Sequence, residues 1–211
     1  MKIFYTILVL LSVLSCKKDQ IQYKVKGVLT NKITNANVSQ ATLSFFQTEV
    51  NGNALNPNFV FLGTTTSNSN GSFEFEFDRQ NIDKFKITIE HSEFYDLETI
   101  YSSAVLSSEN ENVFNYGLES KSWVKVRLTN LFPASGELLN FHKYEVKEGC
   151  ETCCTSGNTA VPYSIPDTTF VCPVVGGTYF KYTYGETSEN SSFTDSVLCT
   201  QFDTTSVLIQ Y

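Results

Sequence analysis

"FEFEF", residues 73–77, sets three phenylalanines and two glutamates in strict alternation. Successive side chains of an extended strand point to opposite faces, so Phe73, Phe75 and Phe77 share one face and Glu74 and Glu76 the other. A helix could not gather those rings on one side, and the segment reads as a half-buried β-strand. "KFKITIE", residues 84–90, repeats the scheme. Upstream, Tyr23, Val25, Gly27 and Leu29 fall on one face, with Lys24, Lys26 and Val28 on the other. Leu43 and Phe45 mark a strand over 41–48, and residues 59–66 return as another. Residues 50–58 carry Asn51-Gly52-Asn53 and Asn56-Pro57-Asn58, turn chemistry that predicts an exposed loop. Asn68-Ser69-Asn70-Gly71 predicts a hairpin connection with Gly71 at positive φ.

The pattern loosens from Asp96 to Gly117, where Tyr101, Val105, Phe114 and Tyr116 are the expected core-facing positions. "LESKS", residues 118–122, is a polar break and the expected domain boundary. Beyond it, Trp123 opens a strand that runs to Leu128. Further strands are expected at 138–147, 168–175, 178–185, 193–201 and 204–211, with Gly176-Gly177 as a two-residue hairpin joint. The chain has 17 Phe and 11 Tyr among 211 residues, and such aromatic enrichment with polar turns is the profile of antiparallel sheets. The expected fold class is all-β, with two tandem antiparallel β-sandwich (Ig-like or transthyretin-like) domains at 23–118 and 123–211.

The chain begins MKIFYTILVLLSVLSC. One lysine precedes an apolar run from Ile3 to Leu14, too short for the roughly 20 residues of a membrane-spanning helix. Residues 1–15 therefore read as a cleaved signal peptide. Val13-Leu14-Ser15-Cys16 resembles the lipobox of bacterial lipoproteins. The resemblance implies cleavage before Cys16, a diacylated thiol and an acylated amino end, so the membrane is a partner through a lipid anchor at Cys16. Residues 16–22 form the lipidated tether. Within it, Lys17-Lys18-Asp19-Gln20 resembles the export tag of surface lipoproteins in some Gram-negative bacteria, with one acid where the strong form has two. An outer-membrane lipoprotein is expected, with the cell surface favoured over the periplasmic face. Loss of Lys2 with the signal leaves 14 of the 15 basic side chains against 22 acidic ones, a net charge of −8. That balance argues against nucleic acid or anionic lipid as the partner, since both need clustered Lys and Arg.

"GTTTSNSNGSFEFEF" (63–77) and "KFKITIEHSEFYD" (84–96), following a Gly-Val strand and a polar loop, resemble the carboxypeptidase-regulatory-like or transthyretin-like β-sandwich. Thr64-Thr65-Thr66, Asn70-Gly71, Phe73, Phe75 and Tyr95 stand in the family's places across residues 21–118. Glu93-Phe94-Tyr95 departs from the family's frequent Gly-Tyr. The resemblance implies a small Greek-key sandwich, a structural or adhesive module with no catalytic residues to transfer.

Catalytic signals are sparse. His91 and His142 are the two histidines, and no G-x-S-x-G elbow, phosphate loop or H-E-x-x-H accompanies them. No enzyme and no cofactor are expected. Glu74 with Glu76, and Glu109 with Glu111, read as solvated faces, because calcium needs six or more converging oxygens. Tyr179, Tyr182 and Tyr184 are the candidate glycan-stacking patch. Asp167-Thr168-Thr169, Asp195-Ser196-Val197 and Asp203-Thr204-Thr205 resemble the O-glycosylation acceptor of the same bacteria.

With Cys16 assigned to lipid, five cysteines remain: Cys150, Cys153, Cys154, Cys172 and Cys199. In an oxidising compartment thiols pair, so disulfides are expected, Cys154 with Cys172 being one possible loop closure. Fifteen pairing schemes leave one thiol over; the expected scheme ties Cys199 to the cluster or to Cys172. The alternative is a metal site of Cys150, Cys153, Cys172 and His142, or a redox-active cluster of Cys150, Cys153 and Cys154. The expected function is a lipid-anchored, non-catalytic binding, structural or accessory module of the cell envelope, with an envelope protein or a glycan as partner. A glycan-binding accessory lipoprotein of a nutrient-uptake system is the further alternative.

Overall fold

The computed structural model describes residues 21–51, 54–133, 137–144, 147–186 and 192–211. The expected signal peptide, the expected lipidation site Cys16 and most of the expected tether lie outside the described residues. In the first half the strands are β1 (Gln22–Asn31), β2 (Thr42–Asn51), β3 (Ala54–Leu55), β4 (Val60–Thr66), β5 (Ser72–Asp78), β6 (Ile82–Glu90), β7 (Leu97–Ser102), β8 (Asn112–Val113) and β9 (Tyr116–Leu118). β1 is antiparallel to β5 and parallel to β8 and β9. The facing sheet runs β3-β2-β6-β7, with β4 also on β2.

The alternating rings close the gap between these sheets. Tyr23, Val25, Leu29, Phe73 and Phe77 meet Leu43, Phe45, Phe85, Ile87 and Ile89 in one buried cluster. Phe75 stacks on Phe45 at 4.2 Å and Phe77 on Phe85 at 5.4 Å. Each such pair adds about 0.5–1.5 kcal/mol beyond the area it buries. On the outer face the Lys24 ammonium lies 2.6 Å from Glu74 and 3.4 Å from Glu76. The two glutamates thus belong to a solvated cross-strand charge ladder.

In the second half the strands are β10 (Lys121–Thr129), β11 (Leu138–Lys143), β12 (Gly157–Pro162), β13 (Asp167–Val175), β14 (Tyr179–Glu186), β15 (Phe193–Leu198) and β16 (Thr204–Gln210). β10 lies between antiparallel β13 and parallel β16, and the other sheet runs β12-β11-β14-β15. Val124, Val126, Leu128, Phe141, Phe180 and Ile209 are central to the second core.

The fold is all-β with predominantly antiparallel pairing, and several local expectations are corrected. Asn68–Gly71 and Gly176-Gly177 are tight turns, and Gly71 and Gly177 take φ of 71° and 78°. Neither is a hairpin joint within a sheet. Each carries the chain from one sheet of its sandwich to the other, since β4 and β13 pair in one sheet and β5 and β14 in the opposite one. Turn chemistry fixes the dihedrals, not the partner of the next strand. β12, "GNTAVP", escapes sequence reading because its Gly, Asn and Pro signal a loop; it pairs on one side only, the position where such residues are tolerated. Val105 is 49% exposed rather than core-facing, because it ends the 3-10 turn Ser103–Val105. Within the polar break, Ser120 and Ser122 are both fully buried.

Gly27 marks the tightest point of the first sandwich. Phe114 crosses β1 there, its N–H donating to the Lys26 carbonyl at 2.8 Å. A Cβ at Gly27 would lie 1.7 Å from the Phe114 carbonyl oxygen and 2.9 Å from the Phe73 ring. Gly27→Ala should therefore destabilise the protein by at least the ~1–3 kcal/mol of an overpacked core. Urea unfolding of the full chain measures this, and an unchanged midpoint would show that the crossing strand gives way freely.

Candidate binding cleft between the two sandwiches

The chain passes from one core to the other through residues 119–123, and their polar groups bond to both sides. Ser120 Oγ donates to the Gly176 carbonyl at 3.3 Å. Ser122 Oγ lies 2.6 Å from the Thr200 carbonyl and 2.8 Å from that of Asp203. Glu119 takes Lys32 of the first sandwich at 2.8 Å and Lys147 of the second in a further ion pair. Burial alone would raise the Glu119 pKa, but the Lys147 and Lys32 ammonium groups outweigh it and hold the carboxyl below its ordinary value. Tyr95 Oη donates to the Val174 carbonyl at 3.0 Å, beneath the Lys147 ammonium 4.9 Å from its ring centre. Burial first, and the nearby Glu119 charge second, push the Tyr95 phenol up to about 12.

Beside this seam, the loops 32–40, 91–96 and 199–203 enclose a cleft of about 270 Å³. Asn31, Val38 and Phe94 are buried at its floor. The Asn31 amide donates to Gln201 Oε1 at 3.1 Å, which leaves the Gln201 NH₂ available to another acceptor. His91 Nδ1 accepts the Glu93 N–H at 3.1 Å, so the neutral ring carries its proton on Nε2. The His91 ring meets Phe94 edge-on at 5.1 Å, and Phe94 meets Phe202 at 5.4 Å.

Phe202 is the unusual member. Its φ is 62°, in the left-handed region, and its side chain is 42% exposed. That conformation costs a bulky L-residue about 1–2 kcal/mol. The surrounding bonds hold it: Phe202 N–H donates to the Lys121 carbonyl at 2.9 Å, and Trp123 N–H to that of Asp203 at 3.0 Å. A ring held in a strained conformation at the rim of a cleft makes Phe202 a candidate functional residue. Nothing in the local sequence announces it, because the turn pattern shows where the chain reverses and not which dihedral each residue adopts.

The residues singled out from sequence are distributed differently. Cys150 pairs with Cys153, and Cys154 with Cys172. Cys199 is a buried free thiol, against the expectation that it would be tied to the cluster or to Cys172. It sits inside the second core, where burial raises its pKa and the thiol behaves as a small apolar group. The four-ligand metal alternative is overturned, since Cys150, Cys153 and Cys172 are spent in disulfides and His142 Nδ1 lies 2.7 Å from Asn158 Oδ1. Among the described residues no group of three or more His, Cys, Asp or Glu is placed to hold a metal.

The tyrosine patch also divides. Tyr179 is 57% exposed, whereas Tyr182 is buried with its hydroxyl donating to Asp195 at 3.2 Å. Tyr184 is half-buried against Phe193 at 5.4 Å. Positions 182 and 184 share strand parity with the buried Phe180, and 179 does not, so the three cannot form one stacking face.

Two measurements test these arrangements. Glu119 contributes stability that is whole above the ordinary carboxylate pKa and is lost as pH falls below it through the depressed value. Melting temperature should therefore drop between about pH 5 and pH 3, and Glu119→Gln should flatten that drop; equal acid slopes would mean an unpaired carboxylate. Peptide mapping after alkylation in non-reducing denaturant should label Cys199 alone among the five cysteines from Cys150 onward. Reduction should cost about 3 kcal/mol for the loop closed by Cys154–Cys172, and label at Cys172 before reduction would refute the pairing.

No family model matches the chain, and no curated protein matches it. Among solved structures it is similar to the Bacillus anthracis TIE protein, with 13% identity over 90% of this chain and 34% of that one, at a TM-score of 0.38. The chain thus spans about a third of that protein. It is also similar to the minor pilin of Streptococcus agalactiae, with 11% identity over 89% of this chain and 94% of that one, at a TM-score of 0.35. The major pilin subunit of Bacillus cereus shares 6% identity over 85% of this chain and 68% of that one, at a TM-score of 0.36.

Proposed function

We propose that this protein is a non-catalytic binding module of the cell envelope, held at the outer membrane by lipid on Cys16 and facing the cell surface. The observation that carries the reading is the cleft at the seam, built by loops of both sandwiches and rimmed by the strained Phe202. The two disulfides support a site outside the reducing cytoplasm. In this reading residues 1–15 are removed, residues 16–22 are the lipidated tether whose last residue opens β1, and the chain divides at 119–122. The transthyretin-like reading of residues 21–118 is part of the same proposal.

Labelling of growing cells with a palmitate analogue should mark the full chain, and Cys16→Ala should abolish the mark and release the protein from the membrane fraction. Protease added to intact cells should remove the wild-type chain. Retained membrane association in Cys16→Ala would overturn the anchor, and protease resistance of a labelled chain would overturn the outward orientation.

A further inference from the structure

We propose that the seam cleft is a carbohydrate site that takes one ring of an uncharged sugar; this rests on reading the protein as a binding module. A pyranose presents an apolar C–H face and a rim of hydroxyls, each both donor and acceptor. The cleft offers the complement of both parts. Phe202, backed by Phe94 at 5.4 Å, supplies an exposed aromatic face at the rim. Among the residues lining the cleft with it, Gln201, His91 and Asn37 carry side-chain donors and Glu93 a carboxylate acceptor.

The size is restrictive. About 270 Å³ lies just below the ~300 Å³ at which ligand pockets commonly begin, so the cleft suits a single ring and not a long chain lying flat. Charge narrows the choice further. The described lining residues include no Lys or Arg, the neighbouring Lys121 ammonium is turned onto the His91 and Ser92 carbonyls at 3.5 and 3.2 Å, and the chain carries a net charge of −7, so a phosphorylated or carboxylated sugar finds little counter-charge. Glu93 beside an aromatic ring could also attract an ammonium group. The amides and hydroxyls of Asn37, Gln201, Thr34 and Ser39 outnumber that one acid and serve hydroxyls, for which an ammonium ligand has no equivalent.

The strained backbone gives a clean test. Asparagine tolerates the left-handed region, so Phe202→Asn removes the ring while easing the turn. Saturation-transfer NMR on the full chain would use maltose, cellobiose and N,N′-diacetylchitobiose, with glucose 6-phosphate and tetramethylammonium as competing classes. At least one neutral disaccharide should receive saturation. Phe202→Asn should weaken it by about tenfold or more, the equivalent of one well-placed contact, with the melting temperature preserved. Glu93→Gln should weaken sugar binding by a few-fold through loss of an acceptor, and Tyr179→Ala should leave it unchanged. Silence from all three disaccharides, transfer to tetramethylammonium or glucose 6-phosphate alone, or sugar binding indifferent to Phe202→Asn would each overturn the proposal. Palmitate labelling and protease access on the same cells report on the envelope reading separately, so a labelled, exposed and sugar-blind protein would sink the site without sinking the module.

Discussion

Between Leu118, buried in the first core, and Val124, buried in the second, the chain has only residues 119–123. That short passage cannot let the two sandwiches separate without breaking its bonds to the first one, from the Tyr95 N–H to the Glu119 carbonyl at 2.9 Å and from the Lys121 N–H to the Glu93 carbonyl at 2.8 Å. Everything else at the seam follows from the closeness it imposes. Glu119 can reach a lysine on either side, Tyr95 can reach the end of β13, and the turn after β15 is pressed against the loop after β6. Isolated surface ion pairs contribute little, but Glu119 with two ammonium groups is a small network at a half-buried position.

The cleft is a by-product of this closeness that the turn at 199–203 converts into something more specific. Two loops meeting side by side would leave a shallow polar crease. The left-handed Phe202 instead projects an aromatic surface over it, and the bonds from Lys121 and Trp123 keep the residue there against its own preference. The first core supplies the floor through Phe94 and Asn31, so neither sandwich alone would form the site.

The sequence made the strands legible wherever one face is buried and the other wet. β1, β5, β6 and β10 all alternate cleanly, and their inward residues are the core. Legibility failed where the local signal and the tertiary role diverge. β12 looks like a loop because an edge strand tolerates Gly and Pro. The two glycine turns were readable as turns, but their strands belong to opposite sheets, which no short-range pattern records. Parallel neighbours of β1 and β10 come from segments about 90 and 80 residues away, a pairing set by global topology. The cysteines were readable as disulfide formers, without their connectivity. Of the candidate cleft, only the histidine and the aromatics were visible as residue types, and their convergence depends on the seam.

The parallel pairing of β10 and β16 has a mechanical side. The register runs from Trp123 opposite Thr204 to Thr129 opposite Gln210. A pull on the start of β10 against a pull on the end of β16 acts along both strands in opposite senses. Every hydrogen bond of the ladder then bears load at once, as rivets do in a lap joint, instead of parting one after another like a zip.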